Sequence, residues 1–188
     1  MKVRPSASVH VCALRHIPEV LPRIGASHLV SAINADLAPH TPPGLAAARH
    51  LKLDMHDILE LQHGATAPAE EHVGQLIEFV RSWDREAPLL IHCYAGLSRS
   101  TAAAFIALCA LNPHASEKTI AQALRRASDT AVPNRRFVGL ADAVLKREGR
   151  MLAALECMGA HRIAAECNPF GVDGHHAPHI ELSADRAA

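Results

Sequence analysis

The sequence has few aromatic residues, with one tryptophan, one tyrosine and four phenylalanines among its 188 residues. A hydrophobic core must therefore be built mainly from aliphatic side chains and alanine, and the alanine favours helices. The chain also lacks any apolar run of the roughly 20 residues that a membrane-spanning helix needs. Its N-terminus lacks the apolar segment of a signal peptide. We therefore expect a soluble cytoplasmic protein with no membrane partner.

Net charge is absent as well, because 19 lysines and arginines balance 19 aspartates and glutamates. Such a chain has no overall field that attracts nucleic acid, so we expect no nucleic-acid partner. Its five cysteines are odd in number and lack the paired spacing of zinc sites. They indicate free thiols in a reducing compartment, not a disulfide framework. These cysteines are Cys12, Cys93, Cys109, Cys157 and Cys167.

The order of strand and helix patterns predicts the fold class. Alternating or β-branched segments precede residue 93, and helical periodicity dominates after it. We therefore expect an α/β protein with a central, mostly parallel sheet flanked by helices. The predicted strands lie at 9–14, 28–33, 49–55 and 89–93. The predicted helices lie before Gly25, at 69–83, at 102–111, at 116–127 and at 137–146, the last running on toward residue 158. Residues 151–188 are expected to form a helical extension and, from Cys167, a loosely held tail.

The stretch from 89 to 100, LLIHCYAGLSRS, carries most of the functional information. Its apolar start is too short for a helix and suits a buried strand. The segment after Thr101, AAAFIALCAL, has strong helix propensity and an apolar face. The stretch therefore predicts a strand, a tight loop and a helix N-terminus, with Cys93 at the start of the loop and Arg99 at its end.

A loop of this kind forms an anion site, because backbone N–H groups and the helix dipole converge on one point. Gly96 allows a backbone conformation closed to other residues, and Arg99 can bind two oxygens of a phosphate. The same positive potential favours the thiolate of Cys93, which is the nucleophilic form. In the alternative interpretation, Cys93 is a small buried hydrophobe and Arg99 an exposed helix residue. The predicted phosphate-binding residues are Tyr94, Ala95, Gly96, Leu97, Ser98 and Arg99.

The pattern His-Cys, five residues, Arg and Ser resembles the signature of the cysteine-based protein tyrosine phosphatase superfamily. The fuller form HCYAGLSRS is most similar to its compact dual-specificity branch, of the bacterial kind. The resemblance covers roughly Val9 to Arg147 and implies a phosphatase catalytic domain over residues 1–150. It further implies hydrolysis of phosphotyrosine, with phosphoserine and phosphothreonine as further substrates, through a phosphocysteine on Cys93. No metal and no cofactor are expected. The partner is expected to be a phosphorylated protein or a small phosphoester, and the oligomeric state is not indicated.

The resemblance also implies an aspartate that protonates the leaving oxygen. Asp57 follows the third predicted strand, where a loop could bring it over the pocket, and we assign the role to it. Asp54 lies within that strand and is the second candidate. Asp84 is expected on the far side of the sheet. The ordinary alternative for Asp57 is a helix or turn cap.

The other roles follow from chemistry and from the resemblance. Ser100 is expected to stabilise the Cys93 thiolate when water attacks the phosphocysteine, with a helix-capping serine as the alternative. His92 is expected to form hydrogen bonds behind Cys93, and Asn134, in AVPNRRF, to support the active site. Cys12 and Cys109 have apolar neighbours, which favours a core role over that of a resolving thiol.

Two other functions remain open at this stage. A phospho-binding module without turnover would use the same loop but lack a working acid. A rhodanese-like sulfurtransferase also places a cysteine in an anion-binding loop, although the five-residue spacing to Arg99 and the following Ser100 count against it.

Overall fold

The computed structural model describes residues 7–178, which form a five-stranded sheet with helices on both faces. In chain order the strands are β1 (Ser8–Ala13), β2 (His28–Ala32), β3 (His50–Leu53), β4 (Leu89–Cys93) and β5 (Phe170–Asp173). The helices are α1 (Ile17–Ile24), α2 (Glu70–Ser82), α3 (Arg99–Leu111), α4 (Glu117–Ala127), α5 (Arg135–Val144) and α6 (Arg150–Glu156). Short 3₁₀ turns lie at Leu14–His16, Ala35–Leu37 and Ala47–Arg49.

The strands follow the order β3-β2-β4-β1-β5. The first four are parallel to one another, and β5 pairs with β1 in the antiparallel direction. Parallel strands bring their C-terminal ends to one edge of the sheet, where ligands of such folds bind. β4 is the central strand, so that the residues after it lie in the middle of this edge. The predicted α/β class with a mostly parallel sheet is confirmed.

Helix α3 accounts for the alanine-rich composition. All thirteen of its residues are buried, because it lies between the sheet on one side and α2, α4 and α5 on the other. Alanine side chains let the helix approach both layers closely at the packing density of a protein interior. The first turn of α3 directly follows the loop from Cys93, so this packing also fixes the position of the loop.

The predicted continuation of the last helix toward residue 158 is wrong. The chain leaves α5 with positive φ at Lys146 (54°), Glu148 (53°) and Gly149 (85°), and α6 then starts separately. Asp142 stabilises this break, because its two carboxylate oxygens accept hydrogen bonds from the N–H groups of Gly149 (2.6 Å) and Met151 (2.8 Å).

The loose tail predicted from Cys167 is also corrected for residues 167–178. Phe170–Asp173 is the edge strand β5, with Val172 opposite Val9 and buried in the core. The side chain of Asn112, at the end of α3, donates to the Gly174 carbonyl (3.0 Å) and accepts from the His176 N–H (2.9 Å). The rest of the predicted tail lies outside the described residues. The division of the chain at residue 150 stays a prediction.

All five cysteines are free, and Cys157 is the exposed one. Within residues 7–178, no helix is both long enough and apolar enough to cross a membrane. The same residues contain no cluster of three or more His, Cys, Asp or Glu side chains arranged to hold a metal ion.

Candidate active site

The loop between β4 and α3 wraps around the thiol of Cys93. The Gly96 N–H donates to Cys93 Sγ at 3.2 Å, and Ser100 Oγ, in the first turn of α3, lies 3.1 Å from the same sulfur. Cys93 is 2% exposed. A backbone N–H and a hydroxyl group therefore lie against the sulfur at the N-terminus of a helix, and both can donate to a thiolate, an arrangement that stabilises negative charge.

Arg99 is buried, with only 6% of its surface exposed. Its Nη1 donates to the Met55 carbonyl at 2.8 Å and to Asn34 Oδ1 at 3.4 Å. Its Nε is fully buried and has no hydrogen-bond partner among residues 7–178. This burial does not agree with the alternative in which Arg99 is an exposed helix residue. A buried guanidinium with an unpaired donor is suited to an anionic ligand, because an unsatisfied charged group is costly.

Asp57 reaches the loop from the segment after β3. Its Oδ1 accepts a hydrogen bond from Ser98 Oγ at 2.6 Å and another from Asn134 Nδ2 at 2.8 Å. Asn134 is itself fixed, because its Oδ1 accepts from the Phe137 N–H (3.0 Å) and caps α5. Neither of these two bonds to Asp57 uses Oδ2.

The other two aspartates have different surroundings. Asp54 accepts from the Ala35 N–H at 2.7 Å, in the loop after β2. Asp84 forms an ion pair with Arg49 (3.6 Å) and accepts from the Glu86 N–H. Of the three candidates, Asp57 is therefore the one that the fold brings to Cys93 and Arg99.

Cys93, Arg99 and Asp57 line one open cleft of about 340 Å³. Tyr94 stands at this cleft with 61% of its surface exposed. One wall comes from the segment 161–164, which the sequence alone places in the C-terminal extension and not at the active site. The Arg162 N–H donates to the Asp129 carbonyl (2.8 Å), and the two side chains add an exposed ion pair (2.8 Å), so that this segment is tied to Asp129. No spacing pattern in the sequence links these two positions.

Two further thiols lie under the loop. Burial, with the neighbouring cysteines adding to it, raises the pKa of Cys12 to about 12 and that of Cys167 to about 11. The Cys167 N–H donates to the Ala95 carbonyl (2.9 Å), which ties the C-terminal segment to the loop. Burial also raises the pKa of Cys109, in α3. Both Cys12 and Cys109 are core residues, and the thiol near the loop that sequence reasoning missed is Cys167.

Gly96 is the loop position with the least room. Its φ is +74°, and a Cβ there would meet Cys167 Sγ and lie 2.9 Å from the Ala13 backbone nitrogen. Gly64 has a similar φ of +76° with nothing within 4 Å of a Cβ. Both glycines therefore have a left-handed backbone conformation, but only at Gly96 would an added Cβ collide with neighbouring atoms.

We expect Gly96→Ala to lower the free energy of unfolding by roughly 2–4 kcal/mol, because left-handed strain and overpacking add. Gly64→Ala is the matched control and should cost roughly 1–2 kcal/mol, from the left-handed strain alone. Urea denaturation of both variants measures the difference. Equal losses would show that the contact under the loop is not tight.

The arrangement combines a nucleophilic thiol, an anion-binding guanidinium and a carboxyl group in one cleft. This set suits attack at phosphorus with protonation of the leaving oxygen.

No family model matches the sequence, and no curated protein matches it. Solved structures do match in fold. The chain is similar to the Cydia pomonella PTP-2 phosphatase, with a TM-score of 0.58 and 19% identity, over 75% of this chain and 90% of that one. It is also similar to human DUSP28, with a TM-score of 0.55 and 18% identity, over 74% of this chain and 89% of that one. A third match is the human tyrosine phosphatase-like serine/threonine/tyrosine-interacting protein, with a TM-score of 0.54 and 19% identity, over 73% and 87%. The chain therefore has the fold of the cysteine-based tyrosine and dual-specificity phosphatases, as the resemblance implied.

Proposed function

We propose that this protein hydrolyses phosphate monoesters through a phosphocysteine on Cys93. The preferred substrate is phosphotyrosine, with phosphoserine and phosphothreonine as further substrates, in a protein or a small phosphoester. The observation that carries the proposal is the unpaired, buried Arg99 Nε in a cleft that also contains the Cys93 thiol and the Asp57 carboxyl group.

In the first step, the Cys93 thiolate attacks phosphorus, an S–P bond forms and the P–O bond to the leaving group breaks. Arg99 and the backbone N–H groups of the loop bind the phosphoryl oxygens, whose charge they neutralise. Asp57, protonated at this stage, gives its proton to the leaving oxygen, which departs as an alcohol and not as an alkoxide.

In the second step, water attacks phosphorus and the S–P bond breaks. Asp57, now a carboxylate, takes a proton from the water. The Cys93 thiolate leaves and is stabilised by the Ser100 hydroxyl, which lies 3.1 Å from Sγ, and by the Gly96 N–H. Free phosphate is the second product.

The residues around the cleft support the choice of substrate. The loop presents Tyr94 and Leu97 and contains no lysine, so it offers no additional charge for polyanionic substrates. The cleft is open and has apolar side chains at its edge, among them Ile163, which is 90% exposed. An aryl group attached to the phosphate would contact these side chains.

We expect Asp57→Asn to slow the hydrolysis of an alkyl phosphate by about 10²–10⁴-fold, because general acid catalysis contributes that much. The rate of hydrolysis of a phosphate with a good leaving group, such as an activated aryl phosphate, should fall much less in the same variant. Asp54→Asn is the matched control and should leave both rates near those of the parent. Steady-state kinetics with EDTA present measures the effect. An Asp57→Asn enzyme that hydrolyses a phosphorylated alcohol as fast as the parent would show that this assignment is wrong.

A second candidate is a module that binds phosphorylated partners without turnover. One solved structure with this fold is the human tyrosine phosphatase-like serine/threonine/tyrosine-interacting protein, whose name favours keeping this alternative. No hydrolysis by the parent, together with thermal stabilisation by phosphate or vanadate, would support the module over the enzyme.

A further inference from the structure

A relay of buried hydrogen bonds crosses the sheet behind the nucleophile. Thr41 Oγ1 lies 2.9 Å from His50 Nδ1, and His50 Nε2 lies 2.7 Å from Ser31 Oγ. Ser31 Oγ lies 2.5 Å from His92 Nε2, and His92 Nδ1 lies 3.3 Å from the Cys93 carbonyl oxygen. The relay therefore joins neighbouring strands β3, β2 and β4 and ends on the backbone of the nucleophile. Ser31 and His92 are fully buried.

The carbonyl at its end fixes the direction of the relay. A carbonyl oxygen only accepts, so His92 Nδ1 must donate to Cys93, and the other ring nitrogen of a neutral His92 must accept from Ser31. Ser31 has then used its one proton and accepts from His50 Nε2. The bare Nδ1 of His50 accepts from the Thr41 hydroxyl. Each donor thus points toward Cys93.

Both rings of the relay are neutral at pH 7. Burial lowers the pKa of His92 to about 4 and that of His50 to about 4. The charged groups that face them are Arg99, beside His92, and Lys52, beside His50, and both are cations that further oppose protonation. The direction of the hydrogen bonds therefore does not reverse near neutral pH.

We infer that Ser31 and His50 are positioning residues for Cys93. Aligned hydrogen bonds polarise one another, and here their positive ends all point at the nucleophile, which favours its thiolate form. The relay also holds the Cys93 carbonyl and, with it, the start of the anion-binding loop. Only the kinetic consequence of this inference depends on the proposed function.

The test is Ser31→Ala, which removes the central hydroxyl and leaves both rings without their shared partner. Ser27→Ala is the matched control, because Ser27 Oγ bonds His28 Nδ1 (2.8 Å) at the other end of the same sheet region and has no link to Cys93. His50→Gln keeps a donor and an acceptor and should retain part of the effect. Thr41→Val removes only the half-buried hydroxyl at the start of the relay. It provides the test if Ser31→Ala does not fold.

The first readout does not need catalysis. Alkylation of Cys93 by iodoacetamide, followed by mass spectrometry of its peptide, reports the thiolate as a function of pH. We expect Ser31→Ala to lower this rate at pH 6 by about three- to tenfold, the equivalent of one lost hydrogen bond. Thr41→Val should lower it about twofold, and Ser27→Ala should not change it. For hydrolysis of an aryl phosphate, kcat should fall most in Ser31→Ala, less in Thr41→Val and not in Ser27→Ala, while KM stays nearly constant. The acid limb of the pH–rate profile should move to higher pH.

An alkylation curve of folded Ser31→Ala or Thr41→Val that coincides with that of the parent would overturn the inference. An equal shift in Ser27→Ala would also overturn it, since the effect would then be general. If the parent hydrolyses no phosphoester, the proposed function fails, while the alkylation curves still decide the role of the relay.

Discussion

Cys93→Ser is expected to lose at least about 10³-fold of the aryl phosphatase activity, because a serine hydroxyl at this position has no means of becoming an alkoxide. Of the two nitrogens of His92, the neighbouring imidazole, Nδ1 contacts the Cys93 carbonyl and Nε2 contacts Ser31, so that His92 is not free to deprotonate it. The anion-binding loop itself should persist, since serine is close to cysteine in size. Phosphate or vanadate should therefore still raise the melting temperature of the variant.

The measurement is hydrolysis of an aryl phosphate across pH with EDTA in the buffer, compared with Cys157→Ser. Cys157 is exposed and lies outside the cleft, so its replacement tests whether the loss of any thiol matters. Activity that survives in Cys93→Ser at more than a tenth of the parent rate would rule out the phosphocysteine. Activity of the parent that EDTA removes would point to a metal-dependent reaction.

The centre of the site could be predicted from the sequence because it is local. The strand, the loop and the helix that position Cys93 and Arg99 occupy one stretch of 23 residues, from Leu89 to Leu111. Within it, the apolar run, Gly96 and the alanine-rich segment each indicate the same structure.

Features that depend on distant residues were harder to predict. The hydrogen bond from Asn134 to Asp57 joins residues 77 positions apart, so no spacing rule separates Asp57 from Asp54. Strand β5 has four residues, of which only Val172 is buried, and shows no alternation long enough to detect. Its position is set by pairing with β1, at the opposite end of the described chain.

The break before α6 and the wall of the cleft have similar causes. Gly149 is compatible with a continuing helix in the sequence, at a cost of about 1 kcal/mol. The carboxylate of Asp142 instead caps the next helix from seven and nine positions away. The wall at 161–164 is held by Asp129, which lies after α4, so that its place beside Cys93 depends on tertiary contacts.

Arg99→Lys should reduce kcat/KM by about 10²–10³-fold, although it keeps the positive charge. Arg99 makes its fixed contact with the Met55 carbonyl through Nη1 and keeps Nε for the ligand, whereas a lysine has one nitrogen for both tasks. The loss corresponds to the removal of one preorganised donor to the transition state. Competitive inhibition by inorganic phosphate should weaken by about tenfold or more in the same variant, because the forked contact with two oxygens is lost.

Arg136→Lys is the matched control for Arg99→Lys. Arg136 holds the far end of the loop between β3 and α2, which carries Asp57, because its Nε donates to the Pro68 carbonyl (2.9 Å), and it does not line the cleft. If Arg99 acted only by fixing that loop, the two substitutions would reduce kcat/KM equally, and the phosphate-binding role would be wrong. If Arg99 binds phosphate, Arg136→Lys should retain nearly full affinity for inorganic phosphate. The comparison therefore separates the two contributions of the Arg99 guanidinium, because only ligand binding depends on the donor that the protein leaves unpaired.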